Sequence, residues 1–93
     1  MELQKDEIEL LGKWIFHNGK VIENDVIKRI NFLKDNDLIK IALSDNGWET
    51  LYRDTNDNRY WELVYNNSEE QGGGAPSLLN ITKKNAKKKY KLE

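Results

Sequence analysis

GWETLYRDTNDNRYWELVY, residues 47–65, is the stretch on which the fold turns. Trp48, Thr50 and Tyr52 alternate with Glu49, Leu51 and Arg53, a period of two that sends the two sets to opposite faces of a sheet. Past the turn-forming residues Asp54 to Asn58 the alternation resumes, with Trp61, Leu63 and Tyr65 on a common face. An even loop centred on Asn56 and Asp57 sets Tyr52 opposite Trp61, Thr50 opposite Leu63 and Trp48 opposite Tyr65. That aromatic face is the expected core face. Cross-strand aromatic pairs contribute about 0.5–1.5 kcal/mol each beyond the burial of their area, enough to fix the register of the surrounding sheet.

Toward the N-terminus, Ser44 to Gly47 reads as the turn joining this hairpin to a strand over Leu38 to Leu43, with Ile39, Ile41 and Leu43 on one face and Lys40 on the other. Before that strand, Asn24 is placed to cap a helix beginning at Asp25; Val26, Ile27, Ile30 and Leu33 form its apolar stripe, and Asp35 to Asp37 breaks it. Phe32 falls off the stripe. Further back, Gly12, Trp14 and Phe16 alternate with Lys13 and Ile15 in a strand from Leu10 to Phe16. Asn18-Gly19 then supplies a type I′ turn that returns Val21 and Ile22 antiparallel to Ile15 and Phe16. Toward the C-terminus, a polar loop from Asn66 to Glu70 leads into the hinge-like QGGGAP of residues 71–76 and a short strand over Ser77 to Thr82. Thr82 can cap a last helix through Tyr90, docked by a narrow stripe of Ala86 and Tyr90. The expected fold is α+β: a mainly antiparallel β-sheet of five or six strands, one packed helix and a short C-terminal helix.

Residues 1–93 contain no internal repeat and make a single domain with room for one modest core. Hydrophobic residues are 38% and charged residues 33% of the chain, and the mean hydropathy is -0.84; this is the balance of a well-solvated folding domain, short of disorder. The absence of cysteine excludes a disulfide frame, a thiolate metal site and a cysteine nucleophile. The opening MELQKDEIEL lacks the basic start and apolar run of a signal peptide, and no segment approaches a membrane span, so a cytosolic protein with no membrane association is expected. The net charge of -1 hides a strong polarity: residues 1–82 hold nine basic and fifteen acidic residues, a net of -6, whereas residues 83–93 hold six lysines and one glutamate, a net of +5. An acidic body repels phosphate backbones and favours a basic protein partner.

Catalytic and metal signatures are missing. The single histidine, His17, flanks the Asn18-Gly19 turn without an H-x-x-x-H or H-x-E companion for zinc, and reads as a surface residue. Gly72 to Gly74 lacks the following Gly-Lys-Ser/Thr of a phosphate loop. Glu49 and Glu62 fall side by side on the outer face of the central hairpin, where two carboxylates could seed an acid-base or cation site. With Arg53 and Arg59 nearby as counter-charges, a solvated face is the better reading. Tyr60 with Arg53 and Arg59 is the nearest approach to a single-strand nucleic-acid platform, but residues 41–82 carry seven acidic and two basic side chains, which disfavours it. No cofactor is expected.

GWETLYRD (47–54), RYWE (59–62), GGGAP (72–76) and AKKKY (86–90), in that order, resemble immunity protein family 27 over a span from about Gly12 to Tyr90. The chain departs from the family pattern at three turn and loop positions: Thr55 and Ala75 stand where proline is common, and Asn58 where glycine is common. The resemblance implies an antitoxin of a bacterial polymorphic toxin: a cytosolic, non-enzymatic protein that binds one cognate toxin domain, of nuclease type, in a stoichiometric complex. Many such toxins are nucleases with basic clefts, so the exposed acidic and aromatic residues of the outer hairpin face and the adjoining loop are the candidate toxin contacts: Glu49, Asp54, Asp57, Tyr60, Glu62, Glu69 and Glu70. A monomer without a nucleic-acid partner is expected. The alternative is a small nucleic-acid-binding module using the basic helix from Lys83 to Lys91, and last comes a small hydrolase using Glu49 and Glu62.

Overall fold

The computed structural model describes residues 3–45, 47–66 and 74–92. Its elements follow in the order β1 (Glu9–Leu11), β2 (Trp14–His17), β3 (Lys20–Glu23), α1 (Asp25–Asn36), β4 (Leu38–Leu43), β5 (Thr50–Asp54), β6 (Tyr60–Asn66), β7 (Ala75–Ile81) and α2 (Lys83–Tyr90). Five strands form one antiparallel sheet in the order β1-β7-β6-β5-β4, and β2 with β3 forms a separate two-stranded ribbon. The fold is therefore α+β and mainly sheet, with α1 on one face and α2 on the other. Among the described residues no helix is long and apolar enough to cross a membrane.

The central hairpin has the expected register, with Tyr52 opposite Trp61 and Thr50 opposite Leu63. Its turn is closed by Asp54 N donating to the Arg59 carbonyl at 2.9 Å and Asn58 N donating to the Asp54 carbonyl at 2.8 Å. Asn58 holds φ at 64°, in the left-handed region that glycine enters freely and asparagine tolerates. Tyr52, Trp61 and Leu63 pack with Leu10, Ile30, Leu33 and Leu78 in the core beneath α1.

The ladder stops short of Trp48. Ser44 N donates to the Glu49 carbonyl at 2.9 Å, Glu49 N donates to Ser44 Oγ at 3.1 Å, and Gly47 turns with φ at 76°. These bonds close the β4–β5 connection before β5 begins, leaving Trp48 in the turn and 69% exposed. Tyr65 pairs with Pro76 of β7 instead. The expected Trp48–Tyr65 core pair is thus replaced by two surface aromatics.

The opposite face of the hairpin is covered too. Leu51 is fully buried there with Ala86 and Tyr90 of α2, flanked by Ile41, Ala42, Tyr60, Ile81 and Leu92. α2 is held at its start by Thr82, whose Oγ1 accepts from Asn85 N at 3.1 Å, and docks by the Ala86 and Tyr90 stripe that its spacing implies. In β4 a bulge between Lys40 and Ala42 breaks the simple alternation: Ile41 joins the α2-side core while Ile39 and Leu43 are exposed. One added residue shifts every later side chain to the other face.

α1 is capped by Asn24 Oδ1, which accepts from Ile27 N at 2.9 Å, and buries Ile27, Ile30 and Leu33. It runs on to Asn36, so Phe32 faces away from the core and is 39% exposed. The N-terminal lead-in is fastened by two arginines. Arg29 grips Glu7 with two bonds of 2.6 Å, which hold the Glu7 carboxyl down to a pKa of about 2. Arg59 donates to the carbonyls of Glu7 and Gln4, both at 2.7 Å, and lies over the Trp61 ring at 4.9 Å.

The expected strand from Leu10 to Phe16 is instead split between two sheets. Gly12 marks the break: a Cβ there would lie 1.9 Å from the Pro76 carbonyl oxygen and 2.9 Å from Ile27 Cγ1. Gly12→Ala is expected to lower unfolding stability by about 1–3 kcal/mol, read from the denaturant midpoint at constant slope. An unchanged midpoint would contradict this close approach.

Candidate functional site

β5 and β6 do bring the carboxylates of Glu49 and Glu62 together, but under a lid. Lys89 of α2 sets its Nζ 2.8 Å from Glu49 Oε2 and 2.7 Å from Glu62 Oε2. The Tyr90 hydroxyl donates to Glu62 Oε2 at 2.8 Å. Glu62 is only 9% exposed. The counter-charge is therefore Lys89 and not the expected Arg53 and Arg59; the Arg59 guanidinium is spent on Asp57, at 2.6 Å, and on the lead-in carbonyls.

Ionisation of these groups follows from the packing. Burial pulls the Lys89 pKa down, but its bonds to Glu49 and Glu62 outweigh that and hold it above the ordinary lysine value. Burial pushes the Tyr90 hydroxyl well up, and the adjoining Glu62 pushes it further. The resulting cluster is a fastening that joins α2 to the sheet, with Oε2 of each glutamate held by Lys89 and that of Glu62 also by Tyr90. Among the described residues no group of three or more His, Cys, Asp or Glu side chains is placed to hold a metal ion.

Asp54, expected on the surface, is fully buried. It sits opposite Leu38 of β4, and its Oδ1 accepts from Asn56 N at 2.9 Å. Burial raises its pKa, and the neighbouring Asp57 adds to the rise. Asp57 is itself drawn down: the bonds from the Arg59 backbone and side chain overcome the effect of burial. Of the seven candidate contacts, Asp54 and Glu62 are thus buried, and Glu49, Asp57 and Tyr60 are partly accessible. Glu69 and Glu70 lie outside the described residues. A shallow depression brings Tyr60 beside Arg59 and Lys83 at the start of α2, but Arg59 has its donors committed elsewhere. Lys89 and Tyr90 were not visible as partners of the carboxylates; the only signal was the spacing of Ala86 and Tyr90, which fixes the docked side of α2 and so the inward turn of its neighbour Lys89.

Fold and site together define a small α+β domain whose central carboxylates are structural and whose sheet is covered on both faces. The family model of Immunity protein 27 matches residues 16–82, most of the chain. The chain belongs to this family, so its function is immunity and its partner is a toxin protein. No curated protein and no solved structure matches it.

Two substitutions test this account of the carboxylates. Because the folded pKa of Asp54 lies above its unfolded value, its stability contribution falls as pH rises from the unfolded value through the folded one. Asp54→Asn is therefore expected to raise the melting temperature at pH 7, with the gain gone below about pH 4, where the unfolded carboxyl protonates as well. Loss of stability at pH 7 would contradict the burial of an uncompensated acid. Tyr90→Phe removes a buried bond to a charged acceptor and is expected to cost about 1–3 kcal/mol; a neutral result in chemical denaturation would show that α2 is held by other means.

Proposed function

We propose that this immunity protein neutralises its toxin in the cytosol by forming a one-to-one complex with the toxin domain, without catalysing a reaction, and that the toxin is a nuclease with a basic cleft. The observation that carries this reading is membership of the immunity family; the acidic excess of residues 1–82, -6 before the +5 of the C-terminal residues 83–93 that pack on it, adds the preference for a basic partner. A charge of that sign steers a basic protein into encounter and speeds association at low salt. Glu49, with Glu69 and Glu70 of the β6–β7 connection, are the residues proposed to meet the toxin's basic rim; Asp57, bonded to Arg59, and Tyr60 flank the turn at the opposite end of the hairpin and are left out. Asp54 and Glu62 are left out because their carboxylates serve the fold.

Co-expression with the product of the adjacent open reading frame tests the proposal. Growth is expected to be rescued, the two chains to co-elute with the mass of a one-to-one complex, and the association rate to fall steeply between low and high salt. Growth rescue with no complex would overturn the binding mechanism. A rate insensitive to salt would overturn the electrostatic part of it.

A further inference from the structure

The β2–β3 ribbon is the part of the fold that the core does not use. Among the described residues β2 and β3 pair only with each other, with Ile15 opposite Ile22 and Phe16 opposite Val21. Phe16 is 75% exposed, and Ile15 and Ile22 are each 42% exposed. By the alternation of a strand, Ile15 and Ile22 share one face and Phe16 lies on the other, so the ribbon shows apolar side chains to solvent on both sides. A two-stranded hairpin is marginal in water by itself, and an open apolar edge invites association.

The topology puts this ribbon in company. β4, β6 and β1 finish, and β5 and β7 begin, at the end of the sheet from which the ribbon springs. Leu11, Leu43, Trp48 and Tyr65 belong to that end, and all are at least 47% exposed. Of the ten large hydrophobic side chains exposed among the described residues, seven therefore gather at one end of the molecule; Ile8, Phe32 and Ile39 lie elsewhere. Isolated exposed apolar residues are ordinary on a protein surface, whereas a concentration of them marks a surface used for binding.

We propose that the toxin domain docks at this end and takes the β2–β3 ribbon into an apolar groove of its own, with Phe16 as the anchor. This rests on the immunity reading and adds where the toxin is held. Size favours a foreign groove over a second copy of the chain. A ribbon of two four-residue strands measures about 13 Å by 10 Å, so one face offers on the order of 130 Å², against about 800 Å² per partner in a stable complex. Face-to-face pairing of two copies covers one side of the ribbon and leaves the other wet. A groove closing over both sides and reaching the neighbouring end of the sheet approaches the required area. An aromatic anchor seated in such a groove is the usual form of an interface hot spot.

The test is calorimetric titration of a catalytically dead toxin domain, encoded by the adjacent reading frame, against wild-type chain, Phe16→Ser, Ile15→Ser with Ile22→Ser, and the control Ile39→Ser at the far end. Phe16→Ser is expected to weaken binding by about 30-fold or more with little change in melting temperature, and Ile39→Ser to leave affinity within a few-fold of wild type. Should the ribbon variants fail to fold, Lys20→Cys at the ribbon tip, carrying a bulky maleimide, is expected to block binding. Equal affinities for wild type and the ribbon variants, or full binding by the labelled protein, overturn the placement while leaving the immunity reading intact. An isolated chain that is dimeric by light scattering and becomes monomeric in Phe16→Ser also overturns it, assigning the ribbon to a second copy. Failure of the wild-type chain to bind the toxin overturns the immunity reading itself and this inference with it.

Discussion

Glu62 lies mid-strand in β6, and a carboxylate buried there must be met by partners that come to it. Lys89 and Tyr90 are those partners, and their bonds dictate where α2 can lie. Once α2 is fastened, Leu51 gains its cover from Ala86 and Tyr90, and the sheet acquires a second core. The charge polarity of the sequence finds part of its meaning here. A basic tail folds back onto an acidic body, with Lys89 between Glu49 and Glu62 and Lys91 near Asp45 at 3.4 Å. The exposed Lys91 pair adds little to stability, whereas the pair of Lys89 with Glu62, whose side chain is only 12% exposed, is better shielded from water.

Much of the fold could be read from local pattern. The Tyr52–Trp61 register, the Asn18-Gly19 turn, the Asn24 cap of α1 and the Ala86–Tyr90 stripe all follow from short-range chemistry, and short-range chemistry carries over unchanged into the structure. What could not be read depends on contacts distant in sequence. Trp48 alternates perfectly with Tyr52, yet hydrogen bonds between Ser44 and Glu49 take its segment out of the strand. The bulge in β4 and the division between β1 and β2 are likewise set by neighbours, the latter by the Pro76 backbone pressing on Gly12.

The candidate site shows the same division. That Glu49 and Glu62 are close was legible, because both follow from the hairpin register. That the face bearing them is closed was not, since Glu, Leu and Arg in alternation look alike whether water or a lysine-rich helix covers them. Asp54 at the head of a turn reads as a surface residue, and its burial against β4 is a tertiary fact. The exposed ribbon was hidden for the opposite reason: alternating apolar residues promise a core, and here no core receives them.

Fastened by α2 on one face and α1 on the other, the sheet acts as a rigid holder for the loops and the ribbon at one end. In the proposed mode of action, charge over the body brings a basic partner near, and apolar side chains at that end hold it. Hydrogen-deuterium exchange of the chain alone and in complex with its toxin tests this division of labour most directly. The account predicts new protection across residues 14–23, with exchange in α2 and β5 little changed. Protection confined to α2 and β5, with the ribbon exchanging as in the free chain, would contradict it.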